Sequence, residues 1–493
     1  MKRNKFSLSH YKLGTYNMGY LYPIAWYEAL PGDTVQQQSS MLIRCAPLLA
    51  PVMHPVHVRI HHWFVPNRLI WEDWEDFITG GPDGNDASVT PKYAASTVTE
   101  GNLVNHMGVP AGTYGTPQYI SILPFRAYNL IYNNFYRDQD LCTERTISLA
   151  SGLDVTTSMD LEKVAWEKDY FTTARPWTQK GTEVNIPLQS TAPVISDGVG
   201  FPSFDISPGG LTDVALRKDS GGVNTNWDAG TTEAGKAKWN DPALVADLSS
   251  ATGISINDLR EALAIQRYME ARSKYGSRYS EYLAYLGVRP KDSRMQEPEY
   301  LGGGRQTIQF SEVLRTGNDA ASTDPIGEMK GHGISAMRSN RFRRFFPEHG
   351  IVMSLMSVVP KAIYADALPR KFNRTTKEMY FQKELQTIGE QSIPSAEIQC
   401  DHTNRAETFG YVPRYDEYRS HPSTICGEFE SSLNYWHLAR QFGSDQSLNS
   451  DFVECSPSDR IFAATGSDQL YIMANHSIQA RRMLIKKAYS KVI

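Results

Sequence analysis

The stretch from Met41 to Gly81, MLIRCAPLLAPVMHPVHVRIHHWFVPNRLIWEDWEDFITGG, limits what this chain can fold into more than any other, because three structural signals follow one another in it without a gap. A strand comes first, a second strand next, then a short helix. Val56, Val58, Ile60, His62 and Phe64 alternate with His57, Arg59, His61 and Trp63, the period of a half-buried strand. Pro66 ends it, and Asn67 is placed to cap a helix. In that helix Ile70, Trp71, Trp74, Phe77 and Ile78 fall on one side and Glu72, Asp73, Glu75 and Asp76 on the other. Gly80, Gly81 and Pro82 stop it. The tryptophans Trp71 and Trp74 are therefore expected in the core or in a subunit contact.

Elsewhere the turns are frequent and the helices few. Pro31, Gly32 and Asp33 mark a tight turn between two apolar runs, and RFRRFFPEHGIVMSLMSVVPKAIY reads as a strand pair turning at 347–350. Ala127, Tyr128, Ile131, Tyr132, Phe135 and Tyr136 recur at helical spacing, so Tyr128 and Tyr132 are expected in a core or a contact between subunits. Residues 252–290 carry the strongest helical pattern, with Ser255 and Asp258 as a capping box and Leu259, Leu263, Ile265 and Tyr268 on an apolar face. Three segments lack a sustained period: 82–118 and 316–339, expected as loop insertions, and 189–250, rich in Gly, Pro, Asp, Ser and Thr, expected as a surface insertion. Short strands, turns and enlarged loops indicate a mainly β chain, a sandwich or barrel of one domain over 1–493.

Hydrophobic residues make up 41% of the chain and charged residues 21%, and no apolar run nears the roughly 18 to 20 residues that a membrane span needs. MKRNKFSLSH lacks the apolar stretch of a signal peptide, so synthesis in the cytoplasm is expected. The formal net charge of −4 excludes a surface wholly given over to nucleic acid, but both ends are basic. Lys2, Arg3 and Lys5 at one end and Arg481, Arg482, Lys486, Lys487 and Lys491 at the other have the character of mobile tails that neutralise phosphate, or of subunit clasps. Arg341 and Arg343, in a strand beside Phe342 and Phe345, share a face fit either for phosphate or for an inter-subunit ion pair.

No catalytic constellation emerges. GTTEAGK at 230–236 has P-loop spacing, but Ala237 stands where a Mg²⁺-binding hydroxyl is required. His57 and His61 in one strand lie about 13 Å apart, too far to share a zinc, and His61 and His62 point to opposite faces. The carboxylates of WEDWED form one helix face with no partner across a cleft, and LGGGR at 301–305 reads as an anion nest or as a glycine-rich turn. Five cysteines, odd in number and scattered, make no disulfide framework and are expected as free, mostly buried thiols. No enzyme, metal or cofactor is expected.

VPNRLIWEDWEDFITGG, LPFRAYNLIYNNFYRDQ, KDYFTTARPWTQKG, PEYLGGGR, FGYVPRYDEYRSHPS, ESSLNYWHLARQF and SPSDRIFA, in this order along the chain, resemble the major capsid proteins of the Microviridae. The resemblance implies a viral jelly roll, eight antiparallel strands in two sheets with large loop and helical insertions. It implies self-assembly into a T=1 icosahedral shell around circular single-stranded DNA, in company with a small basic DNA-binding protein and a pilot protein. Gokushovirus-like members of that family carry an insertion that protrudes around the three-fold axes. By that resemblance residues 189–250 would meet the host receptor, with Phe201, Phe204, Trp227 and Trp239 packed against symmetry mates. The reading from another class is a carbohydrate-active or carbohydrate-binding β-protein, for which 26 Tyr and 9 Trp would be sugar platforms.

Overall fold

The computed structural model describes residues 3–82, 84–182, 194–196, 203–207, 211–218, 225–227, 236–241, 244–246, 256–275, 279–287, 296–314, 316 and 327–485. Two compact units emerge, Met1–Thr178 with Tyr275–Ile493, and Gln179–Lys274.

The first unit is built on two antiparallel sheets. In one, Leu470–Arg482 and Thr34–Cys45 lie side by side at the centre. Asn4–Ser7 and His10–Tyr16 both pair with the outer edge of Leu470–Arg482, while Met329–Arg338 and Phe342–Phe345 both pair with Thr34–Cys45, and Gln309–Leu314 closes the far side. The other sheet runs Glu299–Thr307, Val56–Pro66, Gly350–Pro360, Leu21–Ala29. Period-2 alternation turns Met41, Ile43, Ile472 and Ala474 of the first sheet onto Val58, Ile60, Met356 and Val358 of the second, and Val35, Phe342 and Ile478 onto Phe64 and Val352. This is the mainly β sandwich with insertions that a jelly roll requires. It has more strands than eight partly because two tracks are broken into successive strands.

Between those two apolar clusters the sandwich holds a polar seam. The Gln37 side chain donates to Ser354 Oγ at 2.9 Å and accepts from Tyr27 at 2.8 Å; the buried His62 ring bonds Ser354 through Nδ1 at 2.8 Å and Ser339 through Nε2 at 3.1 Å; Ser39 bonds His476 at 2.8 Å. A buried polar group is tolerated when partnered in this way.

Gly350–Pro360 is buried along its whole length, as its near-continuous apolar run dictates. Its second face, with Trp63 and Val65, packs under the helix Leu123–Phe135, whose Phe125, Tyr128, Ile131 and Tyr132 enter the largest apolar cluster. Arg126 of that helix is fully buried. Its guanidinium donates to Asp154 at 2.8 and 3.0 Å and to the carbonyls of Ile70 and Ala150, tying the helix to the tryptophan segment. Burial alone would raise the Asp154 carboxyl, but hydrogen bonds from Thr157 and Arg126 outweigh it and hold the pKa at about 2.

Several elements differ from the sequence reading. The helix of the tryptophan segment spans only Trp74–Thr79, after a 3₁₀ turn at Asn67–Leu69, and Asn67 is buried with no capping bond; Gly80, at φ 87°, ends it as expected. The turn at 31–33 joins strands of opposite sheets, and so does the turn at 347–350: Phe342–Phe345 pairs with Thr34–Cys45, whereas Gly350–Pro360 pairs with Val56–Pro66 and Leu21–Ala29. Both are corners of the sandwich rather than hairpins. The 82–118 segment carries the strand Lys92–Val98, the turn of helix Leu103–His106 and the start of Gly112–Ser121, which pairs with the first. The 316–339 segment carries Met329–Arg338, a strand of the main sheet. Its inward positions are Gly331, Gly333, Ser335 and Met337, so the alternation is present but nearly without apolar side chains. In LGGGR the glycines are neither nest nor turn but strand, and a Cβ on Gly303 would lie 2.1 Å from the Ile60 carbonyl oxygen. All five cysteines are free; Cys45 and Cys455 are buried, whereas Cys400 and Cys426 are exposed.

In the second unit, a four-stranded sheet runs Thr225–Trp227, Leu211–Lys218, Ser203–Ser207, Lys236–Asp241, and Val194–Ser196 pairs with Leu244–Ala246. The described parts of the polar 189–250 stretch thus form sheet through their backbone. Helix Ile256–Tyr275 follows, and its Leu259, Leu263, Ile265 and Tyr268 are exposed on the single chain. Ser255 of the expected capping box lies outside the described residues.

Candidate nucleic-acid interface

Only one face of the seven-stranded sheet packs in the sandwich; the register fixes what the other presents. At one end Lys5, Arg481, Thr34 and Phe345 stand in a row across four strands, and next to it Ser7, Gln479, Gln36 and Arg343. Further along come the rows Tyr11, Asn475, Ser40, Arg338, then Leu13, Met473, Leu42, Ala336, then Thr15, Tyr471, Arg44, Ile334. Lys5, Arg481, Arg343, Arg338 and Arg44 are all exposed, and these rows contain no acid. Carboxylates border the face rather than enter it: Asp468 accepts from the Thr15 hydroxyl, Glu100 lines a cavity with Leu13 and Thr15, and Glu312 on the outermost strand is in register with the inward Gly331. Tyr11 is 65% exposed and Tyr471 44%. Apart from the apolar row of Leu13, Met473, Leu42 and Ala336, the face offers amides, hydroxyls, basic side chains and open rings, which meet the chemical needs of single-stranded nucleic acid: cations for phosphate and π faces for stacking.

The basic residues anticipated from sequence divide into four groups. Arg3, Lys5, Arg343 and Arg481 come together at the row end, where the Arg3 guanidinium sits 5.1 Å from the Phe345 ring centre. Arg341 immediately precedes the Phe342–Phe345 strand rather than lying in it, and the Gln36 amide, oriented oxygen-outward, accepts from its guanidinium at 3.2 Å. Arg482 is committed elsewhere: it is ion-paired with buried Asp33 at 3.0 Å and donates to the Glu28 carbonyl at 2.6 Å. Lys2, Lys486, Lys487 and Lys491 lie outside the described residues. Sequence reasoning missed Arg44, Tyr11 and Tyr471. The signal was the alternation of Thr34–Cys45, which puts Arg44 on the same side as Gln36, Gln38 and Ser40.

The aromatic candidates also separate. Trp71 is buried and donates from Nε1 to Ser151 Oγ at 2.8 Å, whereas Trp74 is half-buried against His349. Tyr128 and Tyr132 are buried, with the Tyr128 hydroxyl donating to the Leu21 carbonyl at 2.7 Å. Phe204 is half-buried, with Trp239 opposite it in register, and Trp227 is opposite Leu216. Phe201 and the side chains of Trp227 and Trp239 lie outside the described residues.

Histidines 61 and 62 do face opposite ways, His61 to the Tyr136 hydroxyl at 2.6 Å and His62 into the seam. No group of three or more His, Cys, Asp or Glu suited to a metal occurs among the described residues, and no helix there is long and apolar enough to cross a membrane. Of GTTEAGK only Lys236 is described, opening a strand.

Residues 1–490 match the family described as capsid protein (F protein). The chain is 35% identical to capsid protein VP1 of Bdellovibrio phage phiMH2K, over 94% of this chain and 90% of the relative. It is 29% identical to capsid protein VP1 of Chlamydia phage 1, covering 94% and 91%, and 28% identical to that of Spiroplasma virus 4, covering 94% and 90%. A match from end to end, on a β-sandwich with insertions, makes this chain a member of the Microviridae capsid protein family, a structural component of the virion and not an enzyme.

Proposed function

We propose that copies of this chain close into a T=1 icosahedral shell around circular single-stranded DNA, with the open face of the seven-stranded sheet turned toward the genome. The observation that carries the reading is the acid-free run of rows from Lys5 to Arg44, in a chain whose net charge is −4. Basic charge gathered on one sheet face, amid amides and exposed tyrosines, supports contact that neutralises phosphate and stacks bases without selecting sequence. The basic termini, Lys2 and Lys486, Lys487 and Lys491 among them, extend the same role. A small basic DNA-binding protein and a pilot protein complete the particle, which assembles in the host cytoplasm. Residues 189–250 form the outer feature that meets a host surface receptor, with Phe201, Phe204, Trp227 and Trp239 gathered at symmetry axes.

The test is R44A/R338A/R343A. Subunits released from particles should bind a single-stranded oligonucleotide more weakly. The slope of log affinity against log salt should flatten by about 2, at ~0.7 for each phosphate contact removed. Unchanged affinity and slope would assign the genome to another surface.

A further inference from the structure

Residues 371–388, KFNRTTKEMYFQKELQTI, run over the surface of the first unit, and all but Asn373, Arg374 and Leu385 are exposed. Phe372 is 69% exposed, Ile388 61%, Phe381 54% and Tyr380 52%. Single exposed apolar residues are ordinary, but this many on one short segment mark a contact surface.

The segment is not loose. Three 3₁₀ turns shape it, at Arg370–Phe372, Lys377–Met379 and Lys383–Thr387. A clamp from Tyr415, Tyr418 and Arg414 holds its middle. Tyr415 Oη accepts from the Gln382 backbone N–H at 3.1 Å and donates to the Tyr380 carbonyl at 3.0 Å, Tyr418 Oη accepts from the Phe381 N–H at 3.3 Å, and Arg414 donates to the Glu378 carbonyl at 2.6 Å. Arg374 lies 4.4 Å from the Tyr418 ring centre and 5.3 Å from that of Tyr380, and it pairs with Glu417 at 3.4 Å. Tyr415 itself is buried and sits at φ 62°, a backbone conformation that a tyrosine rarely adopts. Strained backbone and bonded scaffolding spent on presenting apolar side chains to water describe a preorganised arm.

The outer charges of the arm include Lys371, Lys377 and Lys383, with Glu378 and Glu384. A surface of the opposite character lies on the same unit. Glu72, Glu75 and Asp76 are exposed around Trp74–Thr79, with Ile78 49% exposed. This segment is bonded to 149–151 through Glu72 N–H to the Leu149 carbonyl and Trp71 to Ser151, which brings Leu153 (59% exposed) and Val155 (81%) beside it. Val89 and Lys92 join the patch through backbone bonds with Gly152.

We propose that the arm 371–388 of one subunit seats on this acidic, apolar patch of a second copy. Phe372 and Ile388 would cover Leu153 and Val155, and Lys377 and Lys383 would face Glu72 and Asp76. Two different surfaces of one chain make a heterologous contact, the kind that propagates around a symmetry axis until it closes. The partner follows from the family, since a capsid protein assembles with copies of itself; the proposal rests on the shell reading and adds where two subunits grip.

The test uses the full chain and counts particles by negative-stain microscopy and sedimentation. F372S/I388S leaves the clamp intact. It should give soluble subunits of about 55 kDa, with wild-type circular dichroism and at least about tenfold fewer particles. K377E/K383E and E72K/D76K should each lower the yield, and the quadruple charge swap should restore it. Wild-type yield from F372S/I388S, or a swap that rescues nothing, overturns the contact. So do normal shells that have lost another virion protein, an outcome that would give the arm to that protein. If the wild-type chain forms no particles, the shell reading falls and the contact with it.

Discussion

His62 and His476 show how a single residue type can serve structure alone, each held by serine hydroxyls. Both are fully buried in the polar seam. Burial, with His476 and His61 as neighbouring ring charges, lowers the His62 pKa to about 3; burial, with His10 and Lys12 nearby, lowers that of His476 to about 4. The folded values lie below the unfolded value of about 6.5, so the unfolded chain binds protons first as the solution is acidified. The stability of the neutral rings is fully present above about pH 6.5 and is lost as pH falls toward the folded values. At pH 5 each ring has cost about 2 kcal/mol. H62Q/H476Q keeps polar atoms in the seam but removes the titration. Its denaturant midpoint should fall less between pH 7.5 and 5 than that of the wild type, the rest of the fall being carried by His54, His61 and His106, which burial also lowers to about 4. Parallel pH profiles would show that these histidines do not set the acid limb.

At the scale of the element, what was legible depended on whether the buried face was apolar. Val56–Pro66, Gly350–Pro360 and Leu123–Phe135 announce themselves because their inward residues are Val, Ile, Met, Phe and Tyr. Met329–Arg338 does not, since Gly331, Gly333 and Ser335 occupy its inward positions, and Thr34–Cys45 hides Gln37 and Ser39 inside. The candidate nucleic-acid face was half legible for a related reason. The bases at the chain ends could be counted, but that Arg44 and Arg338 join them follows from cross-strand register over hundreds of residues, which no local pattern records. Whether a turn makes a hairpin or a corner is likewise decided by distant partners, as at 31–33 and 347–350. The glycines of Glu299–Thr307 give the element its test. G303A should strain the pairing with Val56–Pro66, where the new Cβ meets the Ile60 carbonyl at 2.1 Å, and cost about 1 to 3 kcal/mol. G115A, in Gly112–Ser121 with open space around it, should be neutral or slightly stabilising in the same thermal melts. Equal melting of the two variants would refute the close-approach account.

For the molecule as a whole, the division into two units carries the consequence that matters most for a virion. Among the described residues, every member of the three apolar clusters lies outside Gln179–Lys274. That unit also contains the means of its own removal. Ile195 and Val245 are opposite one another in an antiparallel pair, so their Cα atoms stand only about 4.5 to 5.5 Å apart. A short Gly-Ser turn can therefore replace 197–243 without stretching the chain, converting Val194–Ser196 and Leu244–Ala246 into a closed hairpin. The shortened chain should melt within a few degrees of the wild type and still form shells, because nothing in the sandwich has been cut. If the segment is the outer feature that meets the host, those shells should package DNA yet fail to adsorb to cells, and the deficit should be in attachment rather than in particle yield. A shortened chain that cannot assemble would place subunit contacts in the second unit, and a shortened virus that infects normally would remove the receptor role from it.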